Sequence, residues 1–333
     1  MGELPFLDHA LTTHEEVIAR ARLIGRERGL ARVVVAAAEE DDLLAALYAC
    51  RREEIATSLL VGRPERIAAA LAVAGAPGDA FEIIPAENDE EAALKAATLA
   101  AGGEANVVMK GYLKTSTLLK MLLKHEHGLR DRELVSHSAL LYVPGYGKLL
   151  NITDGGTLVA PTLPQKLTVI ANGVQVLRSV GIMKPRIAVF GPSDEMEEGL
   201  PETLAAAELV EAARRRWEGE LFIEGPMPYD LAVTDPARLR MPLCSEVAGR
   251  ADMLLVHTVE EGNIIAKTLI QFGGAVFMGV IAGARVPISL VSRSDSMINK
   301  MASVALAVCL SDYLRRGFEP LPAVPGTEKG GAE

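Results

Sequence analysis

Through its first 128 residues the chain alternates short runs of β-branched and apolar residues with longer alanine-rich stretches of helical period, and that rhythm leaves few folds open. The β-rich runs near 32–37, 57–61, 81–84 and 106–110 predict strands. Helical patterns near 13–28, 40–54, 64–74, 89–101 and 116–127 lie before and between them. Strands separated by helices pair in parallel, because a parallel neighbour needs a crossover long enough to hold a helix. Thr13 and Glu16 have the spacing of a capping box, Pro64 suits a first helical turn, and Gly128 can close the last of these helices.

From about residue 136 the pattern changes. Ser138–Val143 and Lys148–Thr153 lie either side of Pro144-Gly145-Tyr146-Gly147, which predicts a β-hairpin in place of a crossover. A helix near 164–180, strands at 186–190, 221–224 and 252–257, helices at 202–217 and 263–272, and an apolar run at 275–281 follow. A strand at 287–291 then leads into a long final helix. The expectation is an α/β chain of two α/β domains with a cleft between them. The first would hold 1–135 and 287–320, the second 136–286, and 321–333 would be a disordered tail of proline, glycine and charge.

Composition narrows the partners. A formal charge of −10 with no basic stripe argues against a nucleic-acid surface, so an anionic ligand must be held by local positive charge. Cys50, Cys244 and Cys309 are too dispersed for a metal motif, and three is an odd count for a disulfide framework, which points to a reducing cytoplasm. His125 and His127 flank Glu126 at a spacing that does not share a helical face, so no metal site is expected. Neither a signal-like start nor an apolar run of about 18 residues is evident, so export and membrane insertion are not expected.

Polar residues gather where strands end. Pro287 to Ser296 reads as a buried strand feeding a polar turn that opens a helix. Unpaired N–H groups and the dipole make such a junction an anion site, with Arg293 as a phosphate clamp and Ser292 and Asp295 beside it. Lys110-Gly111 through Thr115-Ser116-Thr117 likewise follows a strand and precedes a helix, a phosphate-friendly turn without the glycine spacing of a nucleotide loop. Asp154 beside two glycines is either a turn former or a ligand group, and Asn263 either caps a helix or donates to a substrate. His257 ends a strand and reads first as a structural histidine.

Taken in order, these turns resemble the phosphate acetyl/butyryltransferase family. The likeness covers Val107 to Leu310 and rests on an ordered set: Met109-Lys110-Gly111 with Thr115, Thr153-Asp154 with Pro161 and Lys166, Asn172, and Pro185 through Val189. It continues with Gly225-Pro226 and Asp230, Val247-Ala248-Gly249 with Ala251-Asp252, Glu261-Gly262-Asn263 with Lys267, Gly283, Pro287 and Ser292-Arg293. Ser-Arg-x-Asp-Ser at 292–296 is similar to the butyryl branch.

The resemblance implies an isocitrate/isopropylmalate dehydrogenase-like fold and a cytoplasmic homodimer. It also implies transfer of a short or medium acyl group between coenzyme A and inorganic phosphate, by direct attack in a ternary complex. Coenzyme A and phosphate would be substrates, no cofactor would be needed, and coupling to an acyl kinase would follow. Ser292, Arg293, Asp295 and Asn263 would be catalytic, with Arg293 on phosphate, Ser292 or Asn263 donating to the carbonyl oxygen, and Asp295 as base for the thiol. Lys110, Gly111, Thr115, Asp154, Lys166, Asp230, Gly262 and Lys267 would bind substrate. Leu158 where the family carries an amide, Asn299 where the acetyl branch carries an acid, and the acidic 195–198 segment motivate the alternative. In that alternative the chain is a coenzyme A or phosphate-ligand binding protein that has lost turnover.

Overall fold

The computed structural model describes residues 5–132, 134–235, 238 and 244–322. In chain order it opens with α1 (His14–Arg28), β1 (Ala31–Ala36), α2 (Asp41–Arg52), β2 (Ala56–Gly62), α3 (Pro64–Val73), β3 (Glu82–Pro85), α4 (Asp89–Ala101), β4 (Val107–Lys110) and α5 (Thr115–Leu122). The middle holds β5 (Ser136–Val143), β6 (Lys148–Thr153), α6 (Leu163–Ser179), β7 (Arg186–Phe190), α7 (Pro201–Arg216), β8 (Phe222–Met227) and α8 (Tyr229–Val233). The last part runs through β9 (Met253–Leu255), α9 (Val259–Phe272), β10 (Val276–Ala282), β11 (Ile288–Ser289) and α10 (Met297–Arg315).

Two units form. The first takes Met1–Phe6, His14–Glu133 and Val276–Gly317, and its strands lie in the order β3-β2-β1-β4-β11-β10. Val34 of β1 stands opposite Leu59 of β2 and Val108 of β4, and all three strands are parallel. Val33, Val34 and Val35 are fully buried, as expected of a strand covered on both faces. Only β10, beside β11, runs antiparallel. By length and composition α10 could cross a membrane, but most of it is buried within this unit, against α1, α2 and β10. Asp312, buried on α10, pairs with Arg28 at 3.0 Å and Arg316 at 2.8 Å, which ties α10 to α1.

The second unit takes Leu7–Thr13, Leu134–Ala275 and Phe318–Glu333, with strands in the order β5-β6-β9-β7-β8. The 144–147 turn makes β5 and β6 an antiparallel hairpin with Leu141 opposite Leu150, and β6, β9, β7 and β8 are parallel. Buried Asp252 anchors three strands at their amino ends, accepting from the Lys148 ammonium and from the Arg186 N–H at 2.7 Å. α6 is buried from Leu167 through Ser179 and forms the spine of this unit.

Several boundaries differ from expectation. The first unit begins again at Val276, not at 287, because β10 pairs with β11 and packs on α10. The helix expected to reach 127 stops at Leu122, and a 3-10 turn over His125–His127 follows, closed by Gly128 at φ 58. The helix expected from 263 begins at Val259, because Thr258 and Glu261 form a capping box that is stronger than the proposed Asn263 cap. The last strand shrinks to Ile288–Ser289, and Ser296 caps α10 by accepting from the Asn299 N–H, so Asp295 lies before the helix and not in its first turn. Of the expected tail, Leu321 is buried and the Pro322 carbonyl accepts from Trp217 Nε1 at 3.3 Å, while 323–333 lie outside the described residues.

Candidate functional site

The candidate residues fall into two groups, one in each unit. In the first, parallel β1, β4 and β11 end side by side, and ligand-binding groups collect at such carboxyl edges. Gly111, directly after β4, lies so close to the segment that follows β1 that a Cβ would lie 2.2 Å from the Ala37 carbonyl oxygen. Only glycine lets the chain turn there and lay Lys110 along the edge. The Lys110 ammonium donates to the carbonyls of Gly111 and Leu113 at 3.1 and 3.2 Å. Burial holds its pKa below the usual lysine range, and the Arg293 charge lowers it further against the pull of Glu40.

Arg293 leans out from the turn after β11. Its guanidinium lies 4.0 Å from the centre of the Tyr112 ring, and Nε forms an ion pair with Glu40 Oε1 at 3.1 Å. The side chain remains 63% exposed, so the guanidinium is oriented yet open to solvent. The Ser292 N–H donates to Asp295 Oδ2 at 2.6 Å, and the two serine hydroxyls at 292 and 294 lie 3.3 Å apart. Lys300, buried on α10, donates to the Arg293 carbonyl at 3.4 Å and so props this turn from behind. Thr115 opens α5, whose cap position is held by Lys114, a residue with no acceptor to offer.

In the second unit the loop after β6 carries Asp154, joined to Thr153 by a cis peptide bond. Its buried carboxylate accepts from the N–H groups of Gly156 and Thr157 at 2.7 Å each and of His137 at 2.9 Å, and also from the Thr157 hydroxyl. This carboxylate holds the loop in shape. Gly155 and Gly262 touch backbone to backbone, since a Cβ on Gly262 would lie 2.7 Å from the Gly155 Cα. That approach brings Asn263, in the second turn of α9, to donate to the Gly155 carbonyl at 3.4 Å. Lys267 lies one turn further along α9 and is exposed.

The residue pair that spacing could not disclose is Lys166 with His257, 91 positions apart. Lys166 Nζ lies 2.8 Å from His257 Nδ1, and His257 Nε2 lies 2.7 Å from the Phe190 carbonyl oxygen. A carbonyl only accepts, so Nε2 carries the hydrogen and Nδ1 turns its lone pair to the lysine. Burial, reinforced by the Lys166 charge, lowers the His257 pKa and keeps the imidazole neutral. Burial also lowers the Lys166 pKa, opposed by Glu261. Glu261 accepts from the His257 N–H at 2.7 Å, so the capping box of α9 fixes the histidine backbone as well. The histidine read as structural thus orients a lysine.

The remaining expectations divide clearly. Asp230 is exposed on short α8, where its carbonyl accepts from the Thr234 N–H. Asn299 is buried and accepts from the Phe277 N–H at 3.2 Å, a tie between α10 and β10. Burial pushes the thiols of Cys50 and Cys309 up to about 12, which removes both as nucleophiles. Tyr112 and Glu40 escaped the sequence reading, although Tyr112 lies inside the turn that it had singled out.

Replacing Gly111 by alanine is expected to lower Tm by several degrees and to weaken phosphate use at once, because the clash is with backbone atoms that cannot rotate away. Thermal unfolding beside a phosphate titration tests it. An unchanged Tm would show that the turn has room.

Comparison with known proteins follows this geometry. The family described as phosphate acetyl/butaryl transferase matches residues 78–308. A phosphate butyryltransferase of Clostridium acetobutylicum is 32% identical over 286 residues, covering 86% of this chain and 95% of the relative. A phosphate acetyltransferase of Thermotoga maritima is 32% identical over 293 residues, covering 88% and 98%. The crystal structure of a branched-chain phosphotransacylase from Enterococcus faecalis V583 superposes with a TM-score of 0.77 at 27% identity, covering 85% of this chain and 99% of that one.

Proposed function

The chain belongs to the phosphate acetyl/butaryl transferase family, and on that premise we propose that it moves a short or medium acyl group between coenzyme A and inorganic phosphate. A phosphate oxygen attacks the thioester carbonyl carbon, a C–O bond forms, the C–S bond breaks, and coenzyme A leaves as a thiolate that takes up a proton. The reverse direction uses the same groups. No acyl-enzyme is involved, and coenzyme A and phosphate enter as substrates.

The observation that carries this reading is the convergence of Lys110 and Arg293 at one sheet edge, close enough for each charge to act on the other. The two cations share the single Glu40 carboxylate, so one positive charge is left in excess at this edge, which favours an anion, and phosphate is the anion that the reaction needs. We assign Arg293 and Lys110 to phosphate, Ser292 and Asn263 to positioning of the acyl carbonyl, and Lys166 to the charge that grows on its oxygen. Asp295 is assigned as acceptor of the thiol proton in acyl-CoA formation, and Asp154, Gly262, Lys267, Thr115 and Asp230 to shaping or lining the substrate path.

The assembly is proposed as a homodimer in the cytoplasm. Free cysteines and the exposed apolar residues Ile264 and Phe272 of α9, 65% and 89% accessible, support that assignment. An acyl kinase consuming the acyl phosphate is the natural functional neighbour.

Purified protein incubated with acyl-CoA thioesters of increasing chain length is expected to release free thiol only when phosphate is present. Phosphate-independent release, or none with any thioester, would overturn the assignment. Arg293→Ala should raise the phosphate concentration needed for half-maximal rate by about 10- to 100-fold, the worth of a lost charge-assisted contact. An unchanged phosphate requirement would take Arg293 out of the site.

A further inference from the structure

Two neighbouring acids after β1 are put to different uses. The Glu39 side chain is buried and tied to the start of α3, since Arg63 Nε donates to its Oε1 at 2.6 Å and Arg66 stands 3.5 Å from its Oε2. Glu40 occupies the cap position of α2, where its carbonyl accepts from the Leu44 N–H at 3.0 Å. The unpaired N–H groups of a helix start attract a carboxylate, yet the Glu40 side chain makes no capping hydrogen bond to them. It turns to the sheet edge instead.

Among the described residues, the one ion-pair partner of Glu40 is Arg293, with Oε1 3.1 Å from Nε. The same carboxylate opposes the lowering of the Lys110 pKa, so it acts on both cations of the edge. Asp295, on the turn that carries Arg293, accepts from the Ser292 N–H at 2.6 Å and serves that turn. The Tyr112 ring, its centre 4.0 Å from the guanidinium carbon, already gives Arg293 a face to lie on. What Glu40 adds that the ring cannot is a negative charge, at an edge assigned to an anion. Glu40, Lys110, Tyr112 and Arg293 all belong to the first unit.

Resting on the assignment of this edge to phosphate, we propose that Glu40 is an internal counter-anion for Arg293. It pairs with the guanidinium while the edge is empty, and phosphate or acyl phosphate takes its place. Glu40 makes and breaks no covalent bond. Its charge weakens the binding of every anion at the edge, because the guanidinium must leave one partner to meet another and the carboxylate repels the newcomer. The same competition favours release, since two unopposed cations would hold an anionic product through charge-assisted contacts.

Calorimetric titration of inorganic phosphate into the native protein and into E40Q tests the proposal, beside thiol-release kinetics at varied phosphate. Glutamine keeps the length and one acceptor oxygen, so the charge is the main change. E40Q is expected to bind phosphate about three- to tenfold more tightly and to need correspondingly less of it for half-maximal rate, a gain that shrinks as salt is added. Sulfate, an anion of the same shape, should inhibit the variant at correspondingly lower concentration. In an Arg293→Ala background E40Q should add little, because the exchange needs the guanidinium. Should E40Q lower Tm, Glu40→Ser removes the same charge while offering α2 a cap hydroxyl, and the same gain is expected. Weaker phosphate binding by these variants would make Glu40 an aiming group and overturn the proposal. Unchanged binding overturns it too, as does an equal gain with and without Arg293, which would make Glu40 a distant charge and not a partner in exchange. If Arg293→Ala itself leaves phosphate binding unchanged, the assignment of the edge to phosphate fails first; if Arg293→Ala weakens binding and E40Q does not tighten it, only the counter-anion role fails.

Discussion

Replacing Lys166 by methionine is expected to lower turnover in phosphate-dependent thiol release by about 10²- to 10³-fold, the usual effect of removing one preorganised donor from a developing oxyanion. Methionine is unbranched and only one atom shorter, so most of the packing is kept and loss of the charge is the main change. An ammonium has three donors, and His257 Nδ1 takes one at 2.8 Å. Two remain for a substrate oxygen. The histidine is locked by the Phe190 carbonyl at 2.7 Å and cannot swing to follow the lysine, so the donor geometry is set before substrate arrives. Tm should fall modestly, because the Nδ1 lone pair is left without its partner, at a cost of about 1–3 kcal/mol. Turnover within a few-fold of the native protein would show that Lys166 only packs.

The same lysine sets a pH dependence. Burial lowers its pKa, so the ammonium is lost at a lower pH than for an exposed lysine. The rate should therefore be retained at neutral pH and decline as pH rises through that lowered value. In the methionine variant the alkaline decline attributable to Lys166 should vanish, leaving a flat and low profile. His257 contributes no acidic limb near neutrality if it stays neutral, as its burial and the adjacent ammonium dictate.

Much of the α/β architecture was legible, because parallel pairing follows from strand and helix alternation and the hairpin was announced by Pro144-Gly145-Tyr146-Gly147. Element ends were harder, since caps compete locally. Asn263 is a good cap residue, but Thr258 with Glu261 satisfies two N–H groups at once and starts α9 a turn earlier. The strand at β10 was assigned to the wrong unit because its antiparallel pairing with a two-residue strand leaves no periodic signal. Site residues show the same division. Lys110 and Gly111 could be found because they follow one strand directly, whereas Lys166 and His257 meet only through the order β6-β9-β7, which places their segments side by side. Asn299, read as a departure that threatened activity, is a backbone tie in the core, something that no spacing rule distinguishes from a missing acid.

Asp154→Ala is expected to destabilise the protein by about 3–5 kcal/mol and to abolish acyl transfer together with it. The carboxylate is 3% exposed and accepts from three backbone N–H groups and one hydroxyl, so its removal leaves several buried donors without an acceptor. The loop would open to hydrate them. Opening it would separate Gly155 from Gly262 and release the Asn263 amide from the Gly155 carbonyl, so activity is lost through shape and not through a missing acid. Asp154→Asn separates these causes. Its amide oxygen can still serve Gly156 and Thr157 from the Oδ1 position, while its NH₂ group must face the His137 N–H, so a smaller loss of stability is expected. If Asp154 only holds the loop, the asparagine variant should show reduced turnover with the same pH limbs as the native protein. A native Tm with one limb removed from the profile would instead make this carboxylate a participant in proton transfer, and the scaffold assignment would fail.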